Sequence, residues 1–124
     1  MMPVGPQGSA FSLPVVRAAD TVSPVAQAST NAWAPVVGSE LDATHFQSVA
    51  YTLANVAQTI QWRVVGANAT DFSDAIIVQA AADVVAAAFA NYSTAAAVWR
   101  HYRVEILDKL GGTHGTVTVR GVAK

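Results

Sequence analysis

The residues best suited to chemistry lie in one short polar loop, "GANATDFSD", which carries Asn68, Asp71 and Asp74 between two apolar runs. Carboxylate and amide oxygens are the ligands that calcium prefers, and they also accept hydrogen bonds from sugar hydroxyls. The loop lacks the dense Asp/Asn alternation and the distal Glu of an EF-hand. Gly, Asn and Asp are equally typical of tight turns. We therefore interpret the loop as a turn that caps the flanking strands, with a calcium or sugar site as the alternative.

The remaining chemistry-bearing residues do not assemble into a catalytic or cofactor motif. The histidines, His45, His101 and His114, lie far apart and none has helical metal-ligand spacing. The chain has no cysteine, which excludes thiol catalysis, disulfides and thiolate metal sites. No serine has the glycines of a nucleophile elbow, and "LGGTHG" lacks the lysine of a phosphate-binding loop. We expect no enzyme activity, no cofactor and no metal.

The composition predicts a protein that is covered by other protein. The 124 residues suit one domain, and 52% of them are apolar. Only 12% are charged, about half of the roughly 25% that is usual in soluble domains. A surface so poor in charge is prone to association. The net charge of −1 gives no attraction for nucleic acid or acidic lipid, and no apolar run approaches the ~20 residues of a membrane span. We predict protein partners, no nucleic acid and no membrane.

All five prolines lie in the first 35 residues, which predicts an extended arm over residues 1–32 and a separate domain over 33–124. Proline fixes φ and removes a donor, so this segment cannot be a regular helix or a central strand. The arm is also unusually apolar, and we expect it to dock on a neighbouring subunit. The predicted interface residues are Phe11, Leu13, Val15, Val16, Arg17, Trp33, Trp99 and Arg100.

From Trp33 onward, short runs with alternating apolar and polar residues predict strands of a β-sandwich or jelly roll. The positions expected to face inward are Val49, Tyr51, Leu53, Ile60, Trp62, Val64, Tyr102, Val104, Ile106, Val117 and Val119. Residues 75–98 are alanine-rich and could be helical by propensity. Because their apolar residues fall nearly all round a helical wheel, we favour two strands around "ANYST" over one helix.

Three arginines, Arg100, Arg103 and Arg120, make the only cluster of one sign. They are few and are interleaved with Glu105 and Asp108, so they do not make a nucleic-acid footprint. We predict that they pair with carboxylates of a neighbouring subunit.

The stretches "SELDATHFQSVAYTLANVAQTIQWRVVGANATDFSDAIIV", "WRHYRVEIL" and "GTHGTVTVRGVAK" resemble small β-sandwich structural proteins of tailed bacteriophages. The middle part is also similar to discoidin-type jelly rolls. The resemblance covers about residues 39–124 and implies a protein that decorates capsids, often as a trimer, or sits in tails and fibres.

We therefore expect a non-enzymatic capsid decoration or cementing protein on the capsid surface of a virion. It would form a homotrimer and contact the major capsid protein or another virion protein. The alternatives are a tail or head–neck component and a carbohydrate-binding module.

Overall fold

A computed structural model describes residues 19–55, 59–108 and 116–124, and these ranges contain nine β-strands. Within them no helix has the length and hydrophobicity that crossing a bilayer requires. The strands are β1 (Asp20–Ala28), β2 (Ala34–Pro35), β3 (Leu41–Asp42), β4 (Val49–Asn55), β5 (Ile60–Ala67), β6 (Ile76–Val84), β7 (Phe89–Thr94), β8 (His101–Leu107) and β9 (Thr116–Ala123).

The strands form two antiparallel sheets that pack face to face. One has the order β1-β9-β4-β7, and the other has the order β2-β8-β5-β6 with β3 also paired to β8. From β4 onward the chain crosses between the sheets at almost every connection, so sequence neighbours seldom pair. Two sheets connected in this way make a jelly roll. The predicted all-β class and single sandwich are confirmed.

The core lies between the sheets and contains the residues whose alternation predicted it. Val49, Tyr51 and Leu53 of β4 are buried there, as are the inward residues predicted on β5, β8 and β9. The Tyr51 hydroxyl donates to the carbonyls of Ser39 and Tyr102. Gly121 of β9 lies opposite Tyr51 of β4, and a Cβ added to Gly121 would lie 2.7 Å from the Tyr51 ring. The close approach of ring and backbone therefore requires glycine at 121.

The last part of the predicted arm belongs to the sandwich. Residues 20–28 form β1, an edge strand that pairs with β9 from Asp20↔Ala123 to Ala28↔Thr116. Pro24 lies where the register shifts between Val22 and Val25, a position at which a missing N–H is tolerated. Proline chemistry excluded a central strand but not an edge strand. Residues 1–18 lie outside the described residues, so an arm there stays a prediction.

Residues 75–98 contain two strands, β6 and β7, as favoured over a helix, but the turn between them is not at "ANYST". Those residues are part of β7, and the turn occupies residues 85–88, where the Ala88 N–H donates to Val85 O and Ala87 has a φ of 62°. Tyr92 and Thr94 have high strand propensity and pair with β4, which outweighs the turn preference of Asn91 and Ser93.

Candidate functional site

A charged network lies on the outer face of the five-stranded sheet. Arg63 of β5 is paired in register with Glu105 of β8, and Arg103 lies two residues before Glu105 on the same face. Arg63 donates through Nε to Glu105 Oε1 at 2.7 Å, and Arg103 donates through Nη2 to Oε2 at 2.8 Å. The Glu105 side chain is only 8% exposed, whereas the arginines are 23% and 21% exposed. One nearly buried carboxylate thus holds two guanidinium groups, with a net charge of +1.

Two aromatic rings extend this network in both directions. The Arg63 guanidinium lies 4.1 Å from the centre of the Trp33 ring, and that of Arg103 lies 4.3 Å from the Phe72 ring. Both distances are within the range of cation–π attraction. The ring of His101 lies 6.3 Å from that of Phe72. The network therefore holds the segment before β2 and the loop after β5 against the sheet.

The acidic loop uses its carboxylates on its own backbone. Asp74 accepts hydrogen bonds from the backbone N–H groups of Asn68 and Ala69, at 3.2 and 3.1 Å. Asp71 accepts one from the Ser73 N–H at 3.0 Å. The Ser73 backbone N–H and hydroxyl hold the pKa of the Asp71 carboxyl below its ordinary value. This geometry is that of a self-capped turn, and it places Phe72, at a φ of 58°, where the ring is buried.

The predicted arginine cluster does not form. Arg103 is bound to Glu105 of its own chain, so the prediction of an intersubunit partner is wrong for this residue. Arg100 is exposed just before β8, and Arg120 is exposed on β9 in the opposite sheet. Because β8 and β9 belong to different sheets, the three arginines do not form one patch. In the ranges 19–55, 59–108 and 116–124, no three His, Asp or Glu side chains are grouped as a metal site requires.

The predicted interface residues have three different placements. Phe11, Leu13, Val15, Val16 and Arg17 lie outside the described residues. Trp33 is half-buried against Arg63, and Trp99 packs on the core so closely that a Cβ at Gly66 would lie 2.6 Å from its ring. Both tryptophans thus have contacts within their own chain. Arg100 keeps an exposed side chain, while its carbonyl accepts a hydrogen bond from the Ala43 N–H.

One flank of the sandwich is apolar and free of charge, and we call it the β7 flank. It is built by the sixteen residues from Val84 to Trp99, which lie between Asp83 and Arg100 and include no charged side chain. Val85, Phe89 and Val98 are 57%, 72% and 75% exposed. Apolar side chains of this size so open to solvent, in a run with no charged residue, are typical of a surface that another protein covers.

The outer face of the four-stranded sheet continues this flank with small side chains. A shallow depression of about 160 Å³ lies there, lined by Ala50, Thr52, Arg120, Gly121 and Val122. It is open to solvent, and its walls offer one guanidinium among methyl and hydroxyl groups. Such a surface suits close contact with protein better than enclosure of a small molecule.

No protein-family model matches the chain, and no curated protein matches it. Solved structures do share its fold. A subunit of Bacillus endospore appendages, which form disulfide-linked pili, is 13% identical with a TM-score of 0.54 and coverage of 86% of each chain. The SPBc2 prophage-derived protein YomS is 10% identical with a TM-score of 0.52, over 90% of this chain and 98% of that one. PirA is 10% identical with a TM-score of 0.53, over 77% and 90%. At identities this low, the structural likeness establishes a common fold and nothing more.

Sequence reasoning missed the Glu105 network and the β7 flank. The same-face spacing of Arg103 and Glu105 was a usable signal, but the third member, Arg63, depends on the register between β5 and β8. The flank had a clearer signal in the uncharged run, which was weighed only as a choice between helix and strand.

Proposed function

We propose that this chain is a non-enzymatic structural protein of a virion, which associates with itself and attaches to a larger protein assembly. Within that class, a capsid decoration protein on the head surface fits the observations best. Support comes from the jelly-roll fold, common among viral structural proteins, and from the resemblance of residues 39–124 to phage structural proteins. The likeness to a prophage-derived protein adds to it at the level of fold.

The observation that carries the proposal is the β7 flank. An isolated soluble domain solvates its surface with charges, yet this flank has none over sixteen consecutive residues and leaves Phe89 72% exposed. Burial of apolar surface contributes about 25 cal/mol per Å², less the cost of ordering the partners. Repeated over many copies on a shell, such modest contacts add up to strong attachment.

In this proposal the N-terminal segment makes the contact with the shell. Phe11, Leu13 and Val15 alternate with Ser12, Pro14 and Val16, so an extended chain would present three large apolar side chains to one side. Because residues 20–28 form β1, a test of this segment must leave them intact.

A binding experiment with the full chain tests the attachment. Particles of the phage that encodes the chain are stripped of it and incubated with wild type, Leu13→Asp or the neighbouring control Ser12→Asp. Wild type and Ser12→Asp should bind in hundreds of copies per particle, and Leu13→Asp should bind at least tenfold more weakly. Equal binding of the wild type and both variants would reject the role of the segment.

The copy number separates the decoration protein from its nearest rival, a tail or head–neck component. The rival is favoured by the likeness to a protein of Bacillus endospore appendages, since the fold occurs there in disulfide-linked pili. Quantitative mass spectrometry of whole particles should give hundreds of copies for a shell protein. A dozen or fewer would place the chain on the tail axis and refute decoration.

A further inference from the structure

The exposed strand edges of the sandwich differ in whether they are protected against pairing. β1 is broken by a register shift that contains Pro24, and β6 has two register shifts and carries Asp83. β2 and β3 have two residues each, and Pro35 ends β2. Bulges, prolines, charges and short length are the devices by which proteins block edge-to-edge association. β7 has none of them, since its six residues are uncharged and pair with β4 in unbroken register.

The hydrogen-bond pattern tells which backbone groups of β7 point away from the sheet. The Asn55 N–H donates to Ala88 O at 3.0 Å. In an antiparallel ladder the bonded pairs recur at every second residue, so Ala90, Tyr92 and Thr94 bond to β4. The N–H and C=O groups of Phe89, Asn91 and Ser93 therefore point outward, and β4 is the only strand of the described chain that pairs with β7.

We propose that β7 pairs with β7 of a second copy of this chain, antiparallel and about a twofold axis at Asn91. In this register Asn91 lies opposite Asn91 of the second copy, and Phe89 lies opposite Ser93. Residues that face each other share a side of the sheet, so the two outer faces become continuous. The outward groups of Phe89, Asn91 and Ser93 form six backbone hydrogen bonds, and two four-stranded sheets become one of eight strands.

The charge distribution favours a second copy as the occupant. Homotypic pairing brings like charges together wherever the surface carries any, and the Val84–Trp99 run carries none. A twofold contact is also closed, because each β7 edge is used once and no free β7 edge is left for further growth. Phe89, 72% exposed in the single chain, gains the second copy as a neighbour. A twofold contact replaces the threefold arrangement that the sequence analysis predicts.

This inference deepens the proposed function, because it rests on the self-association stated there, and the two can fail separately. A monomer that still coats particles would overturn the β7 pairing and leave the virion role standing. A stable dimer that never joins a particle would leave the β7 pairing standing and overturn the virion role.

A single-cysteine variant tests the axis, since the natural chain has no cysteine. Bonded antiparallel pairs have Cα atoms about 5.5 Å apart, within the ~4.4–6.8 Å that a disulfide spans. On mild oxidation Asn91→Cys should form a species of twice 12.9 kDa, about 25.8 kDa. The control Ala81→Cys, exposed on the β6 edge, should stay at 12.9 kDa. No cross-linking at position 91, or equal cross-linking at both positions, would overturn the proposal.

A charge exchange tests the same contact without oxidation. Asn91→Lys and Asn91→Asp should each be folded monomers by native mass spectrometry, because each places like charges at the axis. Their mixture should restore the dimer as a Lys/Asp heterodimer. The control Leu13→Asp should dimerise as wild type does. Dimers that survive in both single variants, or that are lost in Leu13→Asp, would overturn the proposal, and the latter would assign the β7 edge to the N-terminal segment.

Discussion

The Glu105→Gln variant should destabilise the fold far more than its conservative chemistry suggests. The wild-type carboxylate gives one oxygen to each arginine, at 2.7 Å to Arg63 and 2.8 Å to Arg103. An amide keeps one acceptor oxygen and turns an NH₂ group toward the other guanidinium. One arginine then loses its acceptor and faces a donor, and both lose the negative charge that balances them.

The magnitude follows from the burial of the three side chains. Breaking a buried ion pair by removing one partner costs about 3–5 kcal/mol. The two arginines here are 23% and 21% exposed, so water recovers part of that cost. We expect a loss of about 2–3 kcal/mol in the free energy of unfolding. For a domain of this size that corresponds to a fall in Tm of roughly 6–15 °C.

Two comparison variants isolate the cause. Arg103→Gln leaves Glu105 with Arg63 as a neutral pair, so it should cost about 1 kcal/mol, less than Glu105→Gln. Glu40→Gln makes the same chemical change at an exposed site and should cost under about 0.5 kcal/mol.

Urea unfolding followed by tryptophan fluorescence measures all three variants, at one protein concentration because association adds to apparent stability. If Arg103→Gln proved more costly than Glu105→Gln, or if Glu105→Gln matched Glu40→Gln, the carboxylate would not be what holds the network together.

Three further predictions address the core and the acidic loop. Gly121→Ala places a Cβ 2.7 Å from the Tyr51 ring and should cost about 1–3 kcal/mol in urea unfolding, whereas an unchanged midpoint would mean that the ring has room to move. Burial raises the pKa of Tyr51 well above 10. Above about pH 10 the unfolded chain therefore releases a proton that the native chain retains, and stability should fall by up to ~1.4 kcal/mol per pH unit. Tyr51→Phe should flatten this alkaline decline in pH-dependent unfolding, and an equal slope in both proteins would contradict it. Asp74→Ala removes the acceptor for two backbone N–H groups and should cost about 1 kcal/mol by the same assay, with or without added calcium, while a calcium-dependent stabilisation of wild type alone would revive the metal-site interpretation.

The sequence was informative wherever one residue's environment followed from its neighbours along the chain. Alternation alone predicted that Tyr51, Trp62 and Val104 face inward, because side chains of a strand point to opposite faces. The same reasoning identified "GANATDFSD" as a turn, since Asp71 and Asp74 reach backbone groups only a few residues away.

Features that depend on strand pairing could not be predicted from the sequence. Glu105 was placed on a polar face, but its burial needs Arg63 from a strand about forty residues earlier, and only the β5–β8 register joins them. Residues 20–28 were assigned to the arm because of their proline content, and they became a strand because β9 offers an edge that tolerates Pro24. That β7 ends its sheet likewise required the strand order, although the uncharged run was visible in the sequence.

Amide hydrogen exchange across β7 tests most directly the claim that this protein works by joining copies through that edge. With the full chain, exchange at Ala90, Tyr92 and Thr94 should be slow at every protein concentration, because these amides bond to β4. Exchange at Phe89, Asn91 and Ser93 should be fast in dilute protein. Its rate should fall at least tenfold as the protein concentration rises through the dimerisation range. Fast exchange at these three amides up to the highest concentration, with the sandwich intact, would contradict the account.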